Sequence, residues 1–392
     1  MTTKPLNGIK VLDFTQLLPG PMCTLHLADM GAEVIKVEPL GAGEAARGPQ
    51  GTPISHFFLA VNRNKRSLAI DLRAPGGREV ILALVRDADI LVEGFRPGVM
   101  ARLGLGYDAL HAINRRLVYC AISGYGQDGP LAALGGHDIN YQSYAGILEQ
   151  SAPAGGSPHP GNFPIADLAG GALSAAMAIL AALFDAQRKG EGRYIDVSMT
   201  DCAMALNVQP LAGLHTYKHA IPAGHDTLSG GLPCYGTYET ADGRHLAVGA
   251  LEPKFWQNFC QTAGCPELMK SGWASGKAGP AVKAQVAAII KGRTLAEWMT
   301  AFDGVDACVS PVLRIDEVLT HAHTRAREMT VDTPLPDGGS APYFAFPVKM
   351  SNYRFSLDRH PPAVGEHNDE ILRELRWADE AIARLKADGA IA

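Results

Sequence analysis

The chain has 392 residues, too many for one ordinary domain and enough for two. Apolar residues make up 47% and charged residues 19%, a balance that supports a buried core and excludes a disordered chain. With 35 Lys and Arg against 40 Asp and Glu, the net charge of −5 excludes a generally basic nucleic-acid binder but leaves room for a local basic pocket.

In the first half, short β-type runs alternate with helical patterns. Strands are predicted over 9–14, 33–38, 67–72, 89–93, 117–123 and 194–199. Helices are predicted between them, over 23–30, 77–87 and 107–114. Runs such as Ile90-Leu91-Val92 are apolar on both faces, which favours a parallel sheet covered by helices and hence an α/β domain. Residues 168–184 carry no charge across 17 positions. A spanning helix needs about 20 residues, so this Gly- and Ala-rich stretch, bracketed by Asp167 and Asp185, is expected as a helix buried between protein layers in a non-membrane protein.

Residues 200–231 read as a connecting segment, followed by strand-like runs over 235–240 and 245–248. Asp242-Gly243 between them signals a hairpin. Helical patterns over 254–262, 280–290 and 295–302 complete a smaller α+β domain, and 366–387 is helical in character. The expected organisation is a large domain over 1–199, a linker over 200–231, a small domain over 232–320, and a return of 321–392 to the large domain. The seven cysteines show no metal spacing, and the first residues lack a signal-type apolar run. Reduced thiols and a cytoplasmic protein are therefore expected.

Four constellations carry possible chemistry. Gly124-Tyr-Gly-Gln-Asp-Gly129 is a literal G-x-G-x-x-G, but Pro130 and Gly135-Gly136 interrupt the helix that a dinucleotide site requires. A sharp turn at the carboxyl edge of a sheet fits it better. A basic group comprises Arg63, Lys65 and Arg66, with Arg96 and Arg102 further on. It suits phosphate recognition or a solvated face. His137 follows two glycines ahead of a helix, and Asp167 heads the apolar segment, where it is either an N-cap or a functional acid. Glu252 precedes a proline and a helix, again as a cap or a reactive carboxylate.

Ordered motifs run along most of the chain: Gly8-Ile-Lys-Val-Leu-Asp-Phe14, Gly31-Ala-Glu-Val-Ile-Lys-Val-Glu-Pro39, Glu93-Gly-Phe-Arg-Pro-Gly-Val99, Ser123-Gly-Tyr-Gly-Gln-Asp-Gly-Pro130 and Gly136-His-Asp-Ile-Asn-Tyr141. Through them the chain resembles the family III CoA-transferase superfamily, and within it is most similar to the α-methylacyl-CoA racemases. The resemblance implies a Rossmann-like large domain with a parallel sheet plus a small α+β domain, in an interlocked homodimer. It implies an acyl-CoA substrate and no cofactor beyond the CoA moiety of that substrate. His137 and Asp167 match the acid/base pair, and Glu252 matches a small-domain carboxylate that reaches the other subunit's site. Arg63, Arg96 and Arg102 match residues facing the CoA phosphates. Ile70, Asp71, Leu72 and Arg73, with Gly136, Asp138 and Tyr141, match segments lining adenine and pantetheine.

The implied reaction removes the α-proton of a 2-methylacyl thioester to form an enolate and returns a proton on the opposite face. The rival reading is a CoA-transferase with Asp167 as nucleophile. His137 favours the racemase, whereas polar Gln16 points towards the transferase. A CoA-binding protein without turnover, with an apolar surface including Met177 and Met204, is the third reading.

Overall fold

The computed structural model describes residues 4–49, 51–52, 54–336 and 338–392. The chain divides into two compact units, one comprising Met1–Ala145, Phe163–Leu206 and Ala322–Ala392, the other Gly146–Asn162 and Asn207–His321.

The first unit is built on six parallel strands: β1 (Lys10–Phe14), β2 (Glu33–Glu38), β3 (Lys65–Ala69), β4 (Ile90–Glu93), β5 (Val118–Ser123) and β6 (Tyr194–Ser198). Their order, β3-β2-β1-β4-β5-β6, is that of a doubly wound Rossmann sheet. The chain reverses direction of travel between β1 and β4, so the carboxyl ends of those two strands open a crevice. Strand residues are buried on both faces because helices cover both: Val80, Ile81, Leu84 and Val85 on the helix Gly77–Val85 pack with Leu12, Ile35, Leu68 and Leu91 of the strands. The chain's last residues close the β3 edge. Ile391 bridges Ile70, and the Asp71 N–H donates to the Ala390 carbonyl at 2.9 Å. The predicted helix over 366–387 is two, Asn368–Glu374 and Asp379–Ala387, because Arg376 adopts a left-handed backbone (φ 60°) between them.

Two expectations change. β3 starts at Lys65, so Lys65 and Arg66 lie inside the sheet rather than at its mouth, and Arg63 is buried just before it. The apolar segment forms one 24-residue helix, Ala166–Lys189, long and apolar enough by length and composition to cross a membrane. It is not buried between layers. Ala175, Ala176, Ile179, Ala182 and Leu183 are buried, while Leu173, Met177 and Phe184 are 54%, 70% and 62% exposed. Its first eight residues, Ala166–Leu173, are wound as a π-helix. Gly170 and Gly171 lie in this wide turn because a Cβ there would stand 2.7 Å from the Met199 carbonyl oxygen and 2.9 Å from the Pro19 side chain.

The second unit holds an antiparallel sheet of β7 (Tyr235–Glu239), β8 (His245–Gly249) and β9 (Val309–Pro311). The β7–β8 turn uses Gly243 at φ 73°, which accounts for the Asp-Gly signal. Helices Pro253–Ala263, Gly279–Ile290 and Leu295–Ala301 pack over Trp256, Phe259, Trp298 and Phe302. The expected linker over 200–231 is largely helical instead. Met199–Leu206 belongs to the first unit and Val208–Tyr217 to the second. On Val208–Tyr217 only Gly213 is buried, and Val208, Leu211, Leu214 and Tyr217 are exposed.

Candidate active site

At the carboxyl ends of β1, β4 and β5 lies a cavity of about 660 Å3. Three loops shape its wall, contributing Gln16 and Leu17 after β1, Phe95 and Arg96 after β4, and Tyr125 after β5. Gly136, His137 and Tyr141 follow from the next helix, and Asp167 from the π-helical turn. Two predicted catalytic residues, separated by thirty positions in the chain, thus share one cavity at the switch point of the sheet.

Each loop has a local cause. Asp13, fully buried, accepts from the Thr15 N–H at 2.9 Å, the Thr15 hydroxyl at 2.5 Å and the Thr24 hydroxyl at 2.6 Å, and pairs with Lys65 at 3.1 Å. Its carboxyl is held well below the usual carboxylate range because Lys65, Lys36 and these hydroxyls outweigh the cost of burial. Lys36 in turn pairs with Glu44 at 2.9 Å, both side chains wholly buried. The other oxygen of Glu44 accepts the Leu17 N–H at 2.8 Å. Leu17 is held at φ 64°, a region that costs a non-glycine residue about 1 kcal/mol, so the buried pair fixes the β1 loop from beneath.

On the far wall, His137 takes the N-cap position of the helix Asp138–Tyr144, its N–H donating to Asn140 Oδ1 at 3.1 Å. Its imidazole is exposed to the cavity. Gly136 must be glycine: a Cβ would stand 2.7 Å from the Tyr141 ring and 2.8 Å from the Tyr125 hydroxyl. Those two rings meet edge to face at 5.2 Å. Burial pushes the Tyr141 hydroxyl up to about 12, with Asp167 adding to the effect, so it stays a neutral donor. Asp167 is half-buried, and burial with the neighbouring Asp138 charge pushes its carboxyl up to about 7. Asp138 Oδ1 accepts the N–H groups of Ala166 and Asp167 at 2.8 and 3.1 Å. A cavity that holds an imidazole together with a carboxyl pushed up to about 7 suits proton transfer at a carbon acid.

Other predicted residues fall elsewhere. Arg63 is corrected: its guanidinium is buried and forked onto Asp29 at 3.1 and 2.6 Å, with a third bond to the Phe344 carbonyl at 2.8 Å, so its charge is already paired inside the protein, away from the cavity. Lys65 is occupied by Asp13, and Arg66 by Glu33, Glu370 and Glu374. Arg96 remains at the cavity, lying over Gly135, while Arg102 is exposed at the end of the short helix Val99–Arg102. Ile70, Asp71, Leu72 and Arg73 follow β3 outside the cavity, Ile70 buried beneath Ile391 and Arg73 exposed. Glu252 belongs to the second unit, exposed at the N-cap of Pro253–Ala263. The Gly124–Gly129 segment is a run of turns, and the next helix begins only at Asp138, so it cannot cradle a dinucleotide as a helix-opening loop does.

Sequence reasoning missed Glu44, Ser123 and the carboxylate function of Asp138. Ser123 ends β5 on the cavity wall with its hydroxyl buried and without a hydrogen-bond partner among the described residues. A serine closing an apolar strand beside a glycine turn was the available signal.

A Rossmann sheet with a crevice at its switch point, holding an imidazole and a carboxyl, belongs to the open α/β class that binds small molecules there. The CoA-transferase family III model matches residues 6–368, and the chain belongs to that family. It is 36% identical over 384 residues to human α-methylacyl-CoA racemase, covering 98% of this chain and 96% of that one. It is also 32% identical over 399 residues to mouse succinyl-CoA:glutarate CoA-transferase, covering 99% and 90%. Among solved structures, a CAIB/BAIF family protein from Brucella suis superposes with a TM-score of 0.82 at 29% identity, over 95% of this chain and 100% of that one.

Proposed function

We propose that this enzyme racemises 2-methylacyl-CoA thioesters through an enolate. The observation that carries the reading is the shared cavity of His137 and Asp167, with the Asp167 carboxyl held near neutrality. In one direction the His137 imidazole takes the α-proton, the C–H electron pair moves into the thioester carbonyl, and protonated Asp167 delivers its proton to the opposite face. In the other direction the roles exchange. No redox equivalent is consumed, and the only cofactor is the CoA moiety of the substrate. The Asp138 N–H heads its helix and finds no acceptor among the described residues, so it is available to the developing enolate oxygen. Arg96 at the rim supplies charge for the CoA phosphates.

The exposed apolar residues Leu173, Met177 and Phe184, and separately Val208, Leu211 and Leu214, favour assembly as an interlocked homodimer. Glu252 would then serve the partner's site. All seven cysteines are free thiols, which fits a reducing cytoplasm.

One observation favours the transferase reading, in which Asp167 attacks an acyl carbon: Gln16, a polar side chain, lies on the cavity wall with it. The two readings separate when one enantiomer of a 2-methylacyl-CoA is incubated in D2O without a free carboxylic acid. Racemisation predicts loss of optical purity with deuterium at the α-carbon, abolished in both His137→Ala and Asp167→Asn. An enzyme silent until a carboxylate acceptor is added refutes it.

A further inference from the structure

The Asp138 side chain ties together two elements 28 positions apart in the chain. Oδ1 takes two N–H groups at the head of the long helix, those of Ala166 at 2.8 Å and of Asp167 itself at 3.1 Å. Oδ2 accepts from the Gln142 amide, one turn along its own helix. Asp138 immediately follows His137, so the residue that adjoins one reacting group by the chain grips the other by hydrogen bonds.

The electrostatics point the same way. A helix N-terminus favours a negative charge, and by itself would hold Asp167 ionised. The carboxylate of Asp138 occupies that favourable position and opposes a second charge beside it. The titratable groups facing Asp167 are Asp138 and Tyr141 on the helix Asp138–Tyr144, with His137 and Arg96 on the same cavity wall. The helices Pro19–Asp29 and Met199–Leu206 meet this turn through Pro19, Met199 and Ala203, which are uncharged; β6 also packs on it, and the acids on Met199–Leu206 and β6 are Asp201 and Asp196.

We propose that the Asp138 carboxylate is a positioning residue for proton transfer: it clamps the first turn of the helix that carries Asp167 and sets a second negative charge beside that carboxyl. The inference rests on the racemase reading above. One side chain then fixes where the carboxyl sits relative to the His137 helix and which proton it can hold.

Asp138→Asn keeps an oxygen for both N–H groups and removes the charge, whereas Asp138→Ala removes both. The Asp167 carboxyl band is followed by infrared titration in the full-length protein, assigned by its absence in Asp167→Asn. In Asp138→Asn it is expected to titrate about one pH unit lower. For the enantiomer that Asp167 reprotonates, the alkaline limb of kcat for α-proton exchange should move down with it. Each variant is compared at its own optimum, where Asp138→Ala is expected to lose on the order of 10–100-fold in kcat and Asp138→Asn distinctly less, since the amide oxygen still holds both N–H groups. An Asp167 band that titrates identically in wild type and Asp138→Asn overturns the proposal, as does an equal kcat loss in the two variants. A wild-type protein that binds the thioester without exchange refutes racemisation instead, and the infrared titration still decides the clamp.

Discussion

Asp167→Asn should make the protein more stable while removing its activity, and only above a defined pH. The carboxyl rises from an ordinary 3.8 to about 7 in the folded chain, chiefly through burial and then through Asp138. Folding therefore penalises the ionised form. Below the unfolded value the group is protonated in both states and the penalty is absent. It grows as pH rises through the interval and is complete above about 7. The full displacement corresponds to about 4 kcal/mol, and solvent at the cavity mouth screens it to about 2–4 kcal/mol. At about 2 °C per kcal/mol for a unit of this size, the Asn variant should melt about 4–8 °C above wild type at pH 8. The gap should close as pH falls towards 4. Paired thermal melts at pH 4.5, 6 and 8 provide the assay. A gap that is constant with pH, or widest in acid, would show that the carboxyl is not held near neutrality and would sink the proton-transfer argument with it.

Lys36→Met leaves Glu44 buried and unpaired beneath the β1 loop and should cost about 3–5 kcal/mol in denaturant unfolding. The double variant Lys36→Met, Glu44→Gln should recover a large part of that loss, because no unpaired charge remains. Arg96→Ala should raise KM for the CoA thioester about tenfold with kcat little changed, and the difference should shrink in 0.5 M salt if the guanidinium acts on phosphate charge.

The sheet was legible because its strands are short apolar runs bounded by turn residues, and β2, β4 and β5 fall within a residue or two of expectation. The crevice followed from the βα alternation. What misled was charge. Arg63, Lys65 and Arg66 look like an exposed basic run, yet their partners are Asp29, Asp13 and Glu370, the last of them 304 residues away. A charged residue's fate is set by what folding brings against it, which no local pattern carries. The apolar helix was misjudged for a related reason. Its alanines, with Ile179 and Leu183, mark the face that packs, but composition alone does not reveal that Leu173, Met177 and Phe184 point outwards. Asp138 looks like an ordinary first-turn acid in sequence, and its grip on Asp167 exists only because two distant helices meet.

The wide turn at Ala166–Leu173 uncouples two requirements that a regular helix would bind together. Each residue of an α-helix turns the next by about 100°, so the side that docks on the sheet would dictate where Asp167 points. The expanded winding acts as a phase shifter: the later turns lay their alanines on the sheet while the first turn aims its carboxyl at the crevice. Deleting a single residue here would restore regular winding and rotate the acid away from the imidazole, leaving the scaffold intact and the pair broken. Homologous sequences could therefore drift in the docking half without losing aim in the reactive half, provided the count between Asp167 and Ser174 is kept.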